Sequence, residues 1–130
     1  MDNESCSVLV IDEERDNANS TVMLLQIWGH EADAAYSAED AISKARALDP
    51  DVILMDIGIP GRSGFDLAGE LRRDCPEAKF LALSGYTPAD FVRRARVAGF
   101  SKVLTKPTPA RVLKEAVDTE CAAGPPEPRL

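Results

Sequence analysis

The chain has 130 residues, 45% of them hydrophobic and 28% charged, which is typical of one soluble globular domain and excludes a disordered or fibrous chain. Its formal net charge of −7 at pH 7 repels the phosphate backbone of nucleic acids, so we expect no direct binding to DNA or RNA. The apolar run near the start is too short for a signal peptide or a membrane span. We therefore expect a cytoplasmic protein that does not contact a membrane.

Five segments have the composition of β-strands. Four of them are almost unbroken apolar runs, as in strands that are covered on both faces. The fifth, from Glu31 to Tyr36, alternates alanine with acidic residues and is typical of a half-buried edge strand. The four apolar runs are Val8–Ile11, Val52–Met55, Phe80–Leu83 and Val103–Leu104.

Helical periodicity fills the intervals between these strands. The clearest stripe joins Ala38, Ala41, Ile42, Ala45 and Leu48, which recur at helical spacing. Similar stripes predict four further helices. These stripes begin at Ala18, Leu67, Phe91 and Val112.

Residues that favour helix ends stand at the expected boundaries. Ser37 is predicted to cap the second helix, and Asp49 with the proline after it to end that helix. Thr87-Pro88 and Thr108-Pro109 each fit a cap followed by a first helical residue.

Strict alternation of strands and helices with short connections implies a parallel sheet with right-handed crossovers. We predict an α/β fold, a doubly wound (βα)5 domain of flavodoxin-like type, over residues 1–122 with helices on both faces. Residues 123–130 contain three prolines and are predicted to form a disordered tail or linker stub.

Cysteine and histidine residues give no sign of a disulfide framework or a zinc site. Cys6, Cys75 and Cys121 are odd in number, widely spaced and without a CxxC motif, so we expect inert thiols. The single histidine, His30, follows Gly29 at a predicted helix end. A capping or turn role is expected there, since one histidine cannot build a metal cluster.

Polar side chains follow the predicted strands at the edge where the carboxyl ends of parallel strands meet, which is where open α/β sheets bind ligands. A single acid or lysine at a strand end is usually a solvated turn residue. Acids, a hydroxyl and a lysine from four strands at one edge indicate a functional site. These residues are Asp12, Glu13 and Glu14 after strand 1, Asp56 after strand 3, Ser84 and Gly85 after strand 4, and Lys106 after strand 5.

Such a cluster requires a cation. Two carboxylates about 4 Å apart repel by roughly 4 kcal/mol at an effective dielectric constant of about 20. Lys106 supplies one positive charge, and the remaining oxygen ligands suit Mg²⁺, or Mn²⁺, which binds one or two carboxylates together with a phosphate oxygen. Asp56 could then attack a phosphoryl group, while Lys106 and the Ser84 hydroxyl stabilise the transferring oxygens. Gly85 would leave space over the carboxylate, or would simply begin a loop.

The chain resembles the receiver domains of bacterial response regulators over about residues 7–121. The resemblance rests on four motifs at the family's order and spacing. They are Asp12-Glu13, the run Met55-Asp56-Ile57-Gly58-Ile59-Pro60 with Gly64 following, Ser84-Gly85 and Lys106-Pro107.

The resemblance implies a signalling phosphoacceptor of two-component systems, which assists its own phosphorylation and dephosphorylation but is not an enzyme. It implies strand order 2-1-3-4-5, phosphorylation of Asp56 by a histidine kinase or a histidine phosphotransfer protein, and a metal held by Glu13, Asp56 and the Gly58 carbonyl, with Asp12 helping through water. It also implies a cis Lys106-Pro107 bond. The output is expected through an unknown downstream protein or onward phosphotransfer, and a homodimer stays open.

Two positions depart from the family pattern. Glu13 stands where the family has a shorter aspartate as a direct metal ligand. Val103 stands at the switch position, where the family has a tyrosine or phenylalanine that moves with the residue matching Ser84. Phe100 is expected to serve ordinary packing, and we hypothesise that Tyr86 controls the access of water to the acyl phosphate. The basic residues 93, 94 and 96 are expected to form a solvated helix face.

Three other functions would require different motifs or fewer of those present. A nucleotide- or flavin-binding domain would need a glycine-rich loop after strand 1, where this chain has Asp12-Glu13-Glu14-Arg15. A receiver-like interaction module that is never phosphorylated remains the main alternative, because of Glu13 and Val103. An aspartyl-phosphate hydrolase ranks last, since Asp56-Ile57-Gly58 lacks the second aspartate of a D-x-D motif.

Overall fold

The computed structural model describes residues 5–57, 64–85 and 87–123, and strands alternate with helices throughout this part of the chain. The strands are β1 (Ser7–Ile11), β2 (Glu31–Ala35), β3 (Val52–Asp56), β4 (Lys79–Ser84) and β5 (Phe100–Thr105). The helices are α1 (Arg15–Ile27), α2 (Ala38–Leu48), α3 (Gly64–Asp74), α4 (Ala89–Val97) and α5 (Ala110–Ala122). Among the described residues, no helix is long and apolar enough to cross a membrane. Residues 124–130 of the predicted tail lie outside the described residues.

The five strands form one parallel sheet in the order β2-β1-β3-β4-β5. This confirms the predicted (βα)5 fold and strand order. β2 lies at one edge, as its alternating sequence predicted, with Glu31 and Asp33 exposed and Ala34 buried. The carboxyl ends of all five strands therefore meet at one edge of the sheet.

Alternate residues of each central strand pack on opposite faces of the sheet. Leu9 and Ile53 pack on the face covered by α2, α3 and α4. Val8 and Leu54 pack on the face covered by α1 and α5. Each of these side chains is at most 1% exposed, and full burial of one such side chain contributes roughly 1.5–3 kcal/mol. The apolar runs predicted to be covered on both faces are indeed so covered.

The helix boundaries follow the predicted caps with small shifts. The Ser37 hydroxyl accepts a hydrogen bond from the Asp40 amide at 3.1 Å, and Asp49 ends α2 with a left-handed φ of 47°. Leu48 is 42% exposed, so its predicted place in the apolar stripe is wrong. It is the last residue of α2 and lies beyond Ala45, the last buried residue of that helix.

α4 and α5 begin one residue later than predicted. Pro88 and Pro109 have ψ angles of 158° and 145° and are caps rather than first helical residues. Their carbonyl groups accept the first helical hydrogen bonds, from Val92 and Leu113. A cap residue has this combination of extended backbone and accepting carbonyl.

The expectation of inert thiols is wrong for two of the three cysteines. Cys6 and Cys121 are joined by a disulfide across a sequence separation of 115 residues, and only Cys75 is a free, buried thiol among the described residues. The helix-end role expected of His30 is confirmed, since its amide donates to the Leu25 carbonyl at 3.0 Å where α1 ends. Its side chain is buried, at 5% exposure, and packs beside the disulfide, so that the ligand atoms of Cys6, His30 and Cys121 lie within 4.8 Å of one another. The spacing of these three residues along the chain did not predict that they would meet.

Candidate functional site

The pairing of β1 with β3 brings two acidic residues together. Ile11 is paired with Met55, and Asp12 and Asp56 are the next residues on these neighbouring strands. Asp12 is held in line by its amide, which donates to the Ala35 carbonyl at 3.0 Å. The two carboxylates are close enough to share a side-chain hydrogen bond, so the adjacency predicted from topology is confirmed for this pair.

The pairing of β3 with β4 and of β4 with β5 places two further predicted residues near Asp56. Asp56 is paired with Leu83, and the next residue, Ser84, with Thr105. The Lys106 amide donates to the Ser84 carbonyl at 2.9 Å. The Lys106-Pro107 peptide bond is cis, as the family resemblance implied. Ser84 and Lys106 therefore lie at the same edge of the sheet as Asp56.

Lys106 makes a direct ion pair with the candidate phosphoacceptor. Its Nζ donates to Asp56 Oδ2 at 2.8 Å, with the side chains 35% and 17% exposed respectively. Burial alone would lower the pKa of Lys106, but the hydrogen bond to Asp56 and the negative charges of Asp56, Asp12 and Glu14 outweigh it and raise the pKa above its usual value. Lys106 therefore stays charged and stabilises negative charge at this site.

The surroundings of Asp12 disfavour its charged form, whereas those of Lys106 favour its charged form. It is 5% exposed, and its pKa is raised, first by burial and then by the charge of Asp56 and the hydrogen bond between the two carboxylates. The Glu14 amide, which donates to Asp12 Oδ1 at 3.0 Å, and the charge of Lys106 lower the pKa but do not cancel these effects. Burial and the neighbouring carboxylate therefore disfavour the charged form of Asp12, and a cation bound at this edge would offset that cost.

The donor chemistry at this edge fits a hard divalent cation. Asp12 and Asp56 present adjacent carboxylate oxygens, which are the ligands that Mg²⁺ prefers. Glu13 is exposed in the turn after β1. Within the described part of the chain, Asp12, Glu13 and Asp56 are not gathered as a compact group of three ligands. The longer Glu13 side chain would have to turn inward to join the two aspartates.

The remaining predicted residues fall into four situations. Ser84 is buried, at 5% exposure. Gly85 is exposed, and a Cβ added there would meet no atom within 4 Å, so close packing does not require a glycine. Val103 is half-buried against the core on β5. Gly58 and Tyr86 lie outside the described residues.

Phe100 has the packing role expected of it. It is 3% exposed, and its ring centroid lies 6.0 Å from that of Phe80 in an edge-on arrangement and 6.1 Å from that of Phe65. The basic residues of α4 are exposed, as expected. The Arg94 guanidinium lies 5.5 Å from the centre of the Phe65 ring.

Glu14, one of the acids predicted at this edge, also acts through its backbone. Its amide donates to Asp12, and its charge raises the pKa of Lys106. The backbone donation could not be predicted, because it depends on the turn that joins β1 to α1.

Comparisons with known proteins identify the family. Residues 8–118 match the response regulator receiver domain, so the chain belongs to this family, the receiver domains of two-component response regulators. It is 36% identical over 101 residues to the response regulator GacA of Pseudomonas viridiflava, covering 76% of this chain and 47% of GacA. It is 29% identical over 123 residues to an uncharacterised 14.6 kDa protein of Leptolyngbya boryana, covering 92% of this chain and 93% of that protein.

A solved structure supports the same assignment. A response regulator receiver domain protein from Clostridium thermocellum superposes with a TM-score of 0.82 at 27% identity, covering 88% of this chain and 93% of that one. The chain thus spans most of a stand-alone receiver domain but about half the length of GacA.

Proposed function

We propose that the chain accepts a phosphoryl group on Asp56 from a phosphohistidine donor in two-component signal transduction. The observation that carries the proposal is the ion pair between Lys106 Nζ and Asp56 Oδ2 at 2.8 Å, next to a second, buried carboxylate at Asp12. A merely structural ion pair would not need an additional acid whose pKa the arrangement raises. Perturbed acids beside a fixed lysine are instead typical of functional sites.

In this reaction the Asp56 carboxylate attacks the phosphorus atom of the donor. The new P–O bond forms as the P–N bond to the donor imidazole breaks, and the electron pair of that bond stays on the imidazole nitrogen. Lys106 stabilises negative charge on the transferring oxygens, and the Ser84 hydroxyl donates a hydrogen bond to one of them. The product is an aspartyl phosphate, whose hydrolysis by water resets Asp56.

The residues proposed to hold Mg²⁺, or Mn²⁺, are Asp12, Glu13, Asp56 and the Gly58 carbonyl. When bound, the ion would supply positive charge that offsets the negative charge of the carboxylates and of the transferring oxygens. Asp12 contributes a fixed, buried oxygen next to Asp56. Glu13 would contribute a second oxygen if its exposed side chain, one methylene longer than that of aspartate, turns inward.

The proposed partners are a histidine kinase or a histidine phosphotransfer protein as the donor, and a downstream protein as the target. Val103 on β5 has no ring to move when the site is phosphorylated, so the output of this chain is proposed to differ from the family's usual aromatic switch. The signal is proposed to pass by protein contact, by onward phosphotransfer or through a homodimer. The downstream partner, rather than the phosphorylation site, determines which of these applies.

Binding of beryllofluoride, which imitates a phosphoryl group on a carboxylate, tests this proposal. With Mg²⁺ and beryllofluoride we expect the melting temperature of the wild-type chain to rise by several degrees, since a ligand bound only by the folded state stabilises it. Asp56→Ala is expected to show no rise. Glu77→Gln, which removes an exposed acid at the opposite edge of the sheet, is expected to respond like the wild type.

The same experiment addresses the main alternative. A phosphorylation-independent interaction module would give no beryllofluoride response in the wild type, or a response that survives in Asp56→Ala. Either result would remove the proposed chemistry and leave the receiver fold as a docking module.

A further inference from the structure

The edge of the sheet opposite Asp56 holds a group with different chemistry. Cys6 immediately precedes β1, and Cys121 lies in the last turn of α5. The two residues are joined by a disulfide, and their Cα atoms are 6.0 Å apart. This separation is within the usual range for disulfides.

A buried histidine is oriented towards this pair. The Cys6 amide donates to His30 Nδ1 at 3.3 Å, so this nitrogen carries no proton and the proton resides on Nε2. His30 Nε2 donates in turn to Asp118 Oδ1 at 3.0 Å. The sulfur of Cys6 lies 3.9 Å from Nδ1. The unprotonated Nδ1 faces the Cys6 sulfur, so the imidazole is placed to accept the proton that the reduced thiol loses.

Asp118 is kept charged behind the histidine. Burial would raise its pKa, but the hydrogen bonds from Lys114 and His30 prevail and lower it. Lys114 Nζ donates to the second oxygen, Oδ2, at 2.7 Å. Asp118 therefore orients the imidazole of His30, and Lys114 holds Asp118 in place. Both residues belong to α5, the helix that also contains Cys121.

The pair is reachable from solvent. A cavity of about 240 Å³ is lined by both cysteines together with Asp51, Lys79 and Glu120. Cys121 is half-buried, whereas Cys6 is 8% exposed. Lys79 Nζ donates to the Ala123 carbonyl at 3.1 Å, which holds a positive charge at the end of α5 beside the cavity. A small thiol reagent can therefore meet Cys121 first.

We propose that Cys6 and Cys121 form a reversible redox site that ties the start of β1 to the end of α5, with a small disulfide of the glutathione class as the oxidant. The Cys121 thiolate attacks one sulfur of the oxidant, whose S–S bond breaks and releases one glutathione thiolate. The Cys6 thiolate then attacks the Cys121 sulfur and releases the second. The two cysteines lose two electrons and two protons in total, and the oxidant gains both to become two thiols.

Both redox states keep the receiver fold, because α5 stays packed through Leu113, Ala116 and Val117. The bond removes freedom mainly from the unfolded chain, which it closes into a long loop. We therefore expect oxidised protein to melt roughly 10 °C above reduced protein. The site would let the end of α5 respond to thiol oxidation independently of Asp56.

Thiol counting on the full chain tests the proposal. Reduced protein is equilibrated with mixtures of reduced and oxidised glutathione, unfolded in N-ethylmaleimide, and weighed by mass spectrometry. We expect two of the three cysteines to become unreactive together as the oxidised fraction rises, and to return when reduced glutathione is restored. The melting temperature should follow the same transition.

Cys75 provides the matched control. It is 1% exposed, and burial followed by the charges of Asp49 and Asp74 raises the pKa of its thiol, so it should stay reduced throughout. Cys75→Ser is expected to keep the transition and the melting shift, whereas Cys6→Ser and Cys121→Ser lose both. Cys121→Ser replaces a half-buried residue and preserves the test if Cys6→Ser folds poorly.

Three outcomes would overturn the proposal. The first is that all three cysteines remain reactive in oxidised glutathione. The second is that the bond, once formed, resists reduced glutathione in the folded protein. The third is that reduced protein binds one equivalent of Zn²⁺, with loss of binding in both Cys6→Ser and His30→Ala and protection of the thiols from oxidation. That result would make the cluster a metal site instead.

Discussion

Asp12 is buried beside a second carboxylate, and its raised pKa means that the folded chain disfavours its negative charge. Because the folded-state pKa lies above the ordinary value of 3.8, this destabilisation is fully present above the folded pKa. It disappears as the pH falls below 3.8. Residues at functional sites often carry such a conflict between stability and chemistry.

We predict that Asp12→Asn stabilises the metal-free protein by about 1 kcal/mol at neutral pH, because it removes the charge that the fold disfavours. The gain should shrink towards zero in acid, where Asp12 of the wild type is itself neutral. Urea denaturation at a series of pH values measures both effects. A variant less stable than the wild type at neutral pH would show that Asp12 is held chiefly by its hydrogen bonds.

Lys106 forms an ion pair with Asp56, and its charge also lowers the pKa of Asp12. We predict that Lys106→Met raises the pKa of Asp12 further and lowers the free energy of unfolding by about 1 kcal/mol, a modest figure because the lysine is partly exposed. Added Mg²⁺ should then stabilise the variant more than the wild type, since the ion replaces the missing charge.

Denaturation with and without Mg²⁺ measures this difference. Lys102→Met provides the control, because Lys102 is exposed on the same strand, and it should respond to Mg²⁺ as the wild type does. An equal Mg²⁺ effect in Lys106→Met and the wild type would contradict a shared role for the lysine and the ion.

At the scale of elements, α2 depends on a cap that was predicted from the sequence. The Ser37 hydroxyl accepts from the Asp40 amide at 3.1 Å, and Asp40 Oδ2 accepts from the Tyr36 amide at 3.2 Å. We predict that Ser37→Ala destabilises the protein by about 1 kcal/mol. Ser43→Ala, at an exposed position within the same helix, should change stability by less than about 0.5 kcal/mol. Equal effects in urea denaturation would show that the cap hydrogen bonds do not stabilise α2.

The elements could be predicted because each has a strong local signal. The apolar runs that became β1 and β3 required burial on both faces, and the alternating sequence of β2 required an edge. The starts of α4 and α5 were less well predicted, because proline tolerates both the cap and the first helical position. There the choice depends on ψ, which the surrounding turn determines.

The candidate site was predictable to the same degree as the topology. The strand order brings the carboxyl ends of β1, β3, β4 and β5 to one edge of the sheet. The register of these strands accounts for the proximity of the four residues there, Asp12, Asp56, Ser84 and Lys106. The position of the Glu13 side chain was not predictable, since it depends on rotamers in an exposed turn.

At the scale of the whole molecule, the sheet separates two chemical sites. Asp56 lies at the carboxyl edge, and the Cys6–Cys121 disulfide lies at the amino edge, where β1 begins and α5 ends. The second site could not be predicted from the sequence, because its residues are 115 positions apart and meet only through the packing of α5 on the sheet. The helix-end role of His30 was predicted correctly, whereas the contact of its side chain with Cys6 could not be predicted for the same reason.

The most direct test of the central claim is phosphoryl transfer to Asp56. The full chain is incubated with acetyl phosphate and Mg²⁺, then weighed intact and mapped by peptide mass spectrometry. We predict the addition of one phosphoryl group to the wild type, located on Asp56, with none in Asp56→Asn and none when the metal is removed by a chelator. Absence of the phosphoryl group from the wild type, or equal labelling of Asp56→Asn, would contradict the account.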